Sequence, residues 1–433
     1  MWPIGGKKIN RQMFKKTTLD NGLRVITVPV AGTKTVTVLV LVGTGSRCET
    51  KDINGISHFL EHMFFKGTKK RPTPADITEE LDGVGGEYNA FTSKEYTGYF
   101  AKVNYKQFDL ALDWISDIFL NSRLEEKEIE KEKGVILEEI NMYLDTPIYY
   151  IGHLWESLLY GDHPAGWPVL GSKENILNIG REQIANYLKS QYAGSNSLIC
   201  VAGNFNENEA LEKIKKHFGT LRGGNPRPSA GVSENQSRPE ALPHFKKTDQ
   251  THFCLGVRGY GAFHPDRYVF SILGIILGGF MSSRLFQEVR EKRGLAYYIK
   301  TSTEASTDVG YLVTQAGVAN SKIEEAIATI LAEYRLIREK GVSEKELLRA
   351  KDHIKGSMLL NLETSDEQAS FFSIQEILRK EILTPEQVFA KIDMVSANDI
   401  RRVADDIFRP EKLNLALIGP FKNKKKFEEL LRI

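Results

Sequence analysis

His58, Glu61 and His62 fall within about one helical turn in the stretch GISHFLEHMFFKGT, residues 55–68. On a helix, positions i, i+3 and i+4 share one face, so the two imidazoles and the carboxylate project together. Two neutral imidazoles one turn apart form a bidentate grip on zinc, and the glutamate between them is placed to act as a base. The other residues of the stretch (Ile56, Phe59, Leu60, Met63, Phe64 and Phe65) read as the buried side of that helix.

A catalytic zinc needs a third protein ligand and an open fourth position. The segment EKEKGVILEEINMYLD, residues 130–145, offers Glu132, Glu138 and Glu139. At about 100° per residue, Val135, Ile136, Ile140, Met142 and Tyr143 define an apolar arc with Glu139 in its middle. Glu132 lies two turns earlier on nearly the same line. A carboxylate centred on a core-facing stripe is costly to bury unless a cation meets it. Glu139 is therefore the expected third ligand of one Zn2+ per chain. Glu132 is the expected outer carboxylate, orienting a histidine or Glu139. Glu138 reads as solvated. The order His-x-x-Glu-His is the inverzincin signature.

The frame that holds these residues is long. A chain of 433 residues exceeds one ordinary core. With 41% hydrophobic and 26% charged residues and a net charge of +2, it reads as globular, with no footprint for nucleic acid. Cys48, Cys200 and Cys254 are far apart, which excludes a disulfide framework or a cysteine zinc site and suits a reducing compartment. The N-terminal MWPIGGKKINRQMFKK lacks the apolar run of a secretory signal, and no stretch approaches the roughly 18 apolar residues of a membrane span. VTVLVLVGTG is short and β-branched, a buried strand.

Residues 222–243, RGGNPRPSAGVSENQSRPEALP, lose apolar periodicity and read as a linker. It divides the chain into residues 1–221 and 244–433, and these halves echo each other. FTSKEYTGYFAKVNYKQFDLALDW leads through a helix to LEEKEIE. TSTEASTDVGYLVTQAGVANSKIEEAIATIL leads likewise to VSEKELL. The expected fold class is α+β, two homologous halves, each an antiparallel or mixed sheet covered on one face by helices. The segment YNAFTSKEYTGYF reads as a strand near a sheet edge, able to receive an extended peptide as an added strand.

With these motifs the chain resembles the pitrilysin and insulinase family of zinc peptidases, in its mitochondrial-processing-peptidase-like branch. The likeness spans nearly the whole chain and includes LDNGLRVITVPV, GEYNAFTSKEYTGYF, EKGVILEEI, VAGNF and LGGFMSSRLFQEVREKRGLAYYI. The resemblance implies zinc on His58, His62 and Glu139, Glu61 as general base toward a zinc-bound water, and Glu132 as auxiliary carboxylate. It implies that Asn89 and Ala90 lie beside the scissile bond. It also implies that Arg290 and Tyr297 anchor the substrate backbone and donate to the oxyanion. Read without it, Arg290 pairs with Glu288 or Glu291 and Tyr297 is a strand core residue.

The second half has no His-x-x-Glu-His. SILGIILGGFMSSRLFQEV stands where that helix would lie, and its Gly278 and Gly279 suit either substrate handling or a flexible turn. The expected function is a zinc metalloendopeptidase acting on extended or unfolded peptides. The alternative is a non-catalytic structural or peptide-binding subunit of the same fold. Because one chain holds both the zinc motif and the Arg/Tyr pair, a homodimer is expected. A bacterial cytoplasm is the expected location.

Overall fold

The computed structural model describes residues 13–224 and 226–433. The first twelve residues, read above for a secretory signal, and Asn225 of the linker lie outside the described residues.

The first half runs β1 (Lys15–Thr18), β2 (Arg24–Pro29), β3 (Thr35–Val42), α1 (Ile56–Met63), α2 (Pro74–Asp82), β4 (Glu87–Thr92), β5 (Thr97–Asn104), α3 (Phe108–Asn121), α4 (Glu126–Asp145), α5 (Pro147–Tyr160), α6 (Lys173–Asn178), α7 (Arg181–Gln191), β6 (Ser197–Gly203) and α8 (Glu207–Phe218). The second runs β7 (Glu240–Phe245), β8 (Gln250–Gly259), α9 (Arg267–Gly278), β9 (Ala296–Ala305), β10 (Gly310–Ala319), α10 (Ile323–Lys340), α11 (Glu344–Asn361), α12 (Ser365–Arg379), α13 (Pro385–Asp393), α14 (Ala397–Ile407), β11 (Leu413–Gly419) and α15 (Lys424–Leu430).

Apart from the extra edge strand β1 in the first, the two sheets have one topology. Strand order is β1-β2-β6-β3-β5-β4 in the first and β7-β11-β8-β10-β9 in the second. In each, one pair is parallel (β2 with β6, β7 with β11) and the rest are antiparallel. This is the α+β duplication expected from the sequence, with mixed sheets. The residues Glu240–Pro243, read as the end of the linker, are instead the start of β7, because they find pairing partners on β11.

The covering of the sheets departs from expectation. Each sheet carries its own half's helices on one face. On the other face lies a single helix donated by the opposite half. Ala369 and Phe372 of α12 bury against Ile26, Val28, Leu39, Leu41, Leu198, Cys200 and Ala202 of the first sheet. Ile151, Leu154, Trp155 and Leu159 of α5 bury against Cys254, Val313, Ala416 and Ile418 of the second. β3, β6, β8 and β11 are apolar toward both faces, so each face needs a cover.

Two sheet edges bear on function. β4 ends the first sheet and β9 ends the second. The segment read as one strand, YNAFTSKEYTGYF, is a hairpin, with β4 turning back into β5 through residues 93–96 and Ala90 opposite Tyr99. Gly278 is not a turn residue: a Cβ there would stand 2.4 Å from the Thr301 hydroxyl, so it lets α9 close onto β9. No described helix is long and apolar enough to cross a membrane.

Candidate metal centre

Helix α1 starts at Gly55, whose φ of +104° is a conformation glycine adopts without strain. From there Ile56, Phe59, Leu60 and Met63 turn into the core. The opposite side of the helix faces α4. That helix buries a narrow stripe, Ile129, Glu132, Ile136 and Ile140, at spacings of three and four. The wider arc expected from the sequence does not form: Val135 and Met142 are each 52% exposed and Tyr143 is 37% exposed. Neighbouring helices cover only one side of α4, so Glu139 sits at the margin of the stripe. Glu138 is exposed, as expected.

The arrangement brings three donor atoms together. His58 Nε2 and His62 Nε2 are 3.3 Å apart. Glu139 Oε2 lies 3.5 Å from the first and 3.6 Å from the second. Ligand atoms about 2.0–2.2 Å from a tetrahedral zinc stand about 3.3–3.6 Å from one another, so the triangle has the dimensions of a zinc face. Among the described residues these three form the one group with metal-site geometry.

The protonation states suit a cation. Burial, reinforced by the neighbouring His62, lowers the His58 pKa to about 3, so its imidazole is neutral. His62 donates Nδ1–H to Glu132 Oε1 at 2.8 Å, which leaves the lone pair of Nε2 aimed into the triangle. Burial pushes the Glu132 carboxyl up, but the contacts to His62 and Lys66 outweigh it and hold the group below its ordinary value. Burial raises Glu139. The His62 Nε2 lone pair and the Glu139 oxygen aim at one point, an arrangement that calls for a cation or a shared proton between them.

Glu61 stands apart from this triangle. Its Oε2 accepts from Thr92 Oγ1 of β4 at 2.5 Å, and burial raises its pKa. Lys66 Nζ meets Glu132 Oε2 at 2.7 Å. Neither Thr92 nor Lys66 was singled out from the sequence. Lys66 could have been: it follows His62 by one turn and so must share its face. Thr92 carries no comparable signal beyond lying two residues after Ala90 on the strand.

On β4, Asn89 is exposed and Ala90 buried, and Asn89 Oδ1 accepts from the Ala90 N–H at 2.9 Å. Arg290 and Tyr297 are brought together. Arg290 ends a π-helical turn, Phe286–Glu291, with its guanidinium 4.7 Å from the Phe286 ring centre and 5.8 Å from that of Tyr297. Tyr297 is 80% exposed at the start of β9, so it is not a core residue. Glu288 pairs with Lys292 and Arg293, and Glu291 approaches Arg290 only to 3.9 Å. Among the described residues no hydrogen bond or ion pair joins Arg290 or Tyr297 to His58, Glu61, His62 or Glu139.

Paired histidines on one helical turn, a carboxylate from a second helix and a separate buried glutamate, on a duplicated α+β frame, point to a metallopeptidase class of protein. Comparison with known proteins agrees. Residues 24–171 match the insulinase domain of peptidase family M16, and residues 178–354 match the family's inactive domain. The uncharacterized zinc protease YmxG of Bacillus subtilis is 36% identical over 411 residues, covering 95% of this chain and 99% of the relative. An uncharacterized zinc protease of Mycobacterium leprae is 35% identical over 421 residues, covering 96% and 94%. The crystal structure of a protease from Helicobacter pylori superposes with a TM-score of 0.87 at 25% identity, covering 94% and 99%. The chain belongs to the insulinase family of peptidases, family M16.

Proposed function

We propose that the chain is a zinc-dependent endopeptidase acting on extended or unfolded peptides, with one zinc held by His58, His62 and Glu139. The observation that carries this reading is the convergence of three lone-pair atoms at 3.3–3.6 Å. Zinc, when bound, supplies a Lewis acid and lowers the pKa of water. Glu61, held by Thr92 and with its pKa raised by burial, accepts the proton of the attacking water and returns it to the leaving amine. Glu132 keeps His62 in the tautomer that offers Nε2.

The substrate adds as a strand along the free edge of β4, with Asn89 and Ala90 beside the scissile bond. Its polar backbone then competes with Asn89 for the Ala90 N–H. Arg290, half-buried, and Tyr297, exposed, make no hydrogen bond or ion pair to the triangle among the described residues and act from a second copy in a homodimer. Arg290 anchors substrate backbone, and the Tyr297 hydroxyl stabilises the oxyanion. In this reading residues 1–221 are the catalytic domain, 222–239 the linker, and 240–433, from the start of β7, the domain that completes the substrate site. Length and duplication support the mitochondrial-processing-peptidase-like branch. Three buried, unpaired cysteines and bacterial relatives support a bacterial cytoplasm.

The test is Glu61→Gln with a quenched peptide and a zinc assay. The variant is expected to keep zinc and lose hydrolysis. Cleavage at the parent rate removes Glu61 from the role of base. A parent chain that binds zinc and cleaves nothing turns the reading to the alternative, a non-catalytic structural or peptide-binding subunit.

A further inference from the structure

Glu49 is 1% exposed and spends its carboxylate entirely on the start of α1. Oε2 accepts from the Gly55 N–H at 2.8 Å and from Asn54 Nδ2 at 2.8 Å, and Oε1 accepts from the Ser57 N–H at 2.8 Å. The N-cap residue itself, Gly55, has no side chain to offer, so Glu49 caps the helix from six residues upstream. Among the described residues no lysine, arginine or histidine lies within ion-pair distance of it. Arg47, two residues away, instead meets Glu95 at 3.0 Å and Asp308 at 2.8 Å.

An acidic group buried without a cationic partner is an expensive way to cap a helix, since Ser, Thr, Asp or Asn at the N-cap does so at the surface; burial pushes the Glu49 pKa up to about 7 against the opposing hydrogen bonds from Gly55, Ser57 and Asn54, so the group is mostly ionised only above neutral pH. The location explains the expense. His58 is the third residue of α1, within the first turn, where the unsatisfied N–H groups place positive charge. That field opposes a dication on His58 and withdraws electron density from its imidazole. We propose that Glu49 is a positioning residue of the metal centre, whose carboxylate in its ionised form cancels the positive end of α1 and thereby raises the affinity of His58 and His62 for a divalent cation.

The inference rests on the ligand set assigned above, and one experiment separates the two. Zinc affinity of the full chain is measured by competition with a chromophoric chelator, and thermal midpoints are recorded with and without zinc, for the parent, Glu49→Gln and Glu49→Asp. Glu49→Gln is expected to weaken zinc binding about 5- to 30-fold, the range for a buried charge acting on a helix end. The rise in midpoint on adding zinc is expected to shrink. Glu49→Asp, which keeps the charge, is expected to stay closer to the parent in affinity. If Glu49 served only as a cap, Glu49→Gln would lower both midpoints equally and bind zinc within about threefold of the parent, and the proposal falls. It falls equally if Glu49→Asp is as defective as Glu49→Gln. Should Glu49→Gln not fold, Glu49→Asn and Glu49→Asp, alike in size and different in charge, decide: a tenfold or greater loss in Glu49→Asn alone supports the proposal, and equal affinity of the two overturns it. A parent that binds no zinc overturns the ligand assignment itself.

Discussion

Glu132→Gln tests how the outer carboxylate governs the histidines. Glu132 is 4% exposed and has two acceptor oxygens in use, one on His62 Nδ1 at 2.8 Å and one on Lys66 Nζ at 2.7 Å. Glutamine has one acceptor. If its oxygen stays on His62, its NH2 group faces the lysine ammonium. If its oxygen turns to Lys66, the NH2 group faces Nδ1 and drives the proton to Nε2, the atom aimed into the triangle. Either arrangement is expected to cost about 10- to 100-fold in zinc affinity, about 1.4–2.7 kcal/mol. Adding Lys66→Met removes the conflict, because the amide oxygen can then remain on His62. The double variant is expected to recover about 1 kcal/mol relative to Glu132→Gln alone. Chelator competition at neutral pH measures the parent, both single variants (Glu132→Gln and Lys66→Met) and the double variant, with circular dichroism to establish folding. A Glu132→Gln affinity within about threefold of the parent, or a double variant no better than the single, refutes the reasoning.

Thr92→Val removes the hydroxyl that holds Glu61, a hydrogen bond to a charged acceptor, and should lower kcat about tenfold or more while leaving zinc affinity unchanged. Unchanged kcat would exclude Thr92 from the mechanism. Glu346 offers a pH test remote from the metal. Burial pushes its pKa up, but Arg284 at 2.8 Å and the Ser343 N–H at 2.9 Å outweigh burial and hold it at about 2. The folded pKa lies below the unfolded one, so the contribution to stability is present above about pH 4.3 and is lost as pH falls toward 2. Glu346→Gln should therefore lower stability by about 1–3 kcal/mol at neutral pH and flatten the acid limb of a denaturation series, and a parallel limb would count against this account. Phe372→Ala empties a site that is 1% exposed between α12 and the first sheet, with an expected loss of about 3–5 kcal/mol in denaturant unfolding.

The parts of the site set by local periodicity were legible in the sequence. His58, Glu61 and His62 declare their common face by spacing alone. Glu132 stands out as a carboxylate on the buried stripe of α4, whereas Glu139 is reached through a wider arc that does not form and stands at the margin of that stripe. What escaped depends on contacts distant in the chain. Val135, Met142 and Tyr143 look like core because α4 is amphipathic, but no neighbouring helix covers that side. Gly278 looks like a hinge because glycine marks turns, yet the approach of Thr301 explains it. The sequence shows α5 and α12 as amphipathic helices but carries no sign of which sheet each will cover. Thr92 reaches Glu61 only because a hairpin folds beside α1.

The exchange of α5 and α12 has a consequence for how the molecule can come apart. They occupy equivalent places in the two halves, and each seals the neighbour's sheet rather than its own. This is the arrangement of a domain-swapped dimer written into a single polypeptide. A protease nick within residues 222–238 would therefore leave two fragments still clasped together, neither able to leave without stripping an oily surface bare. Expressed alone, either fragment would be sticky and would regain solubility only when mixed with the other.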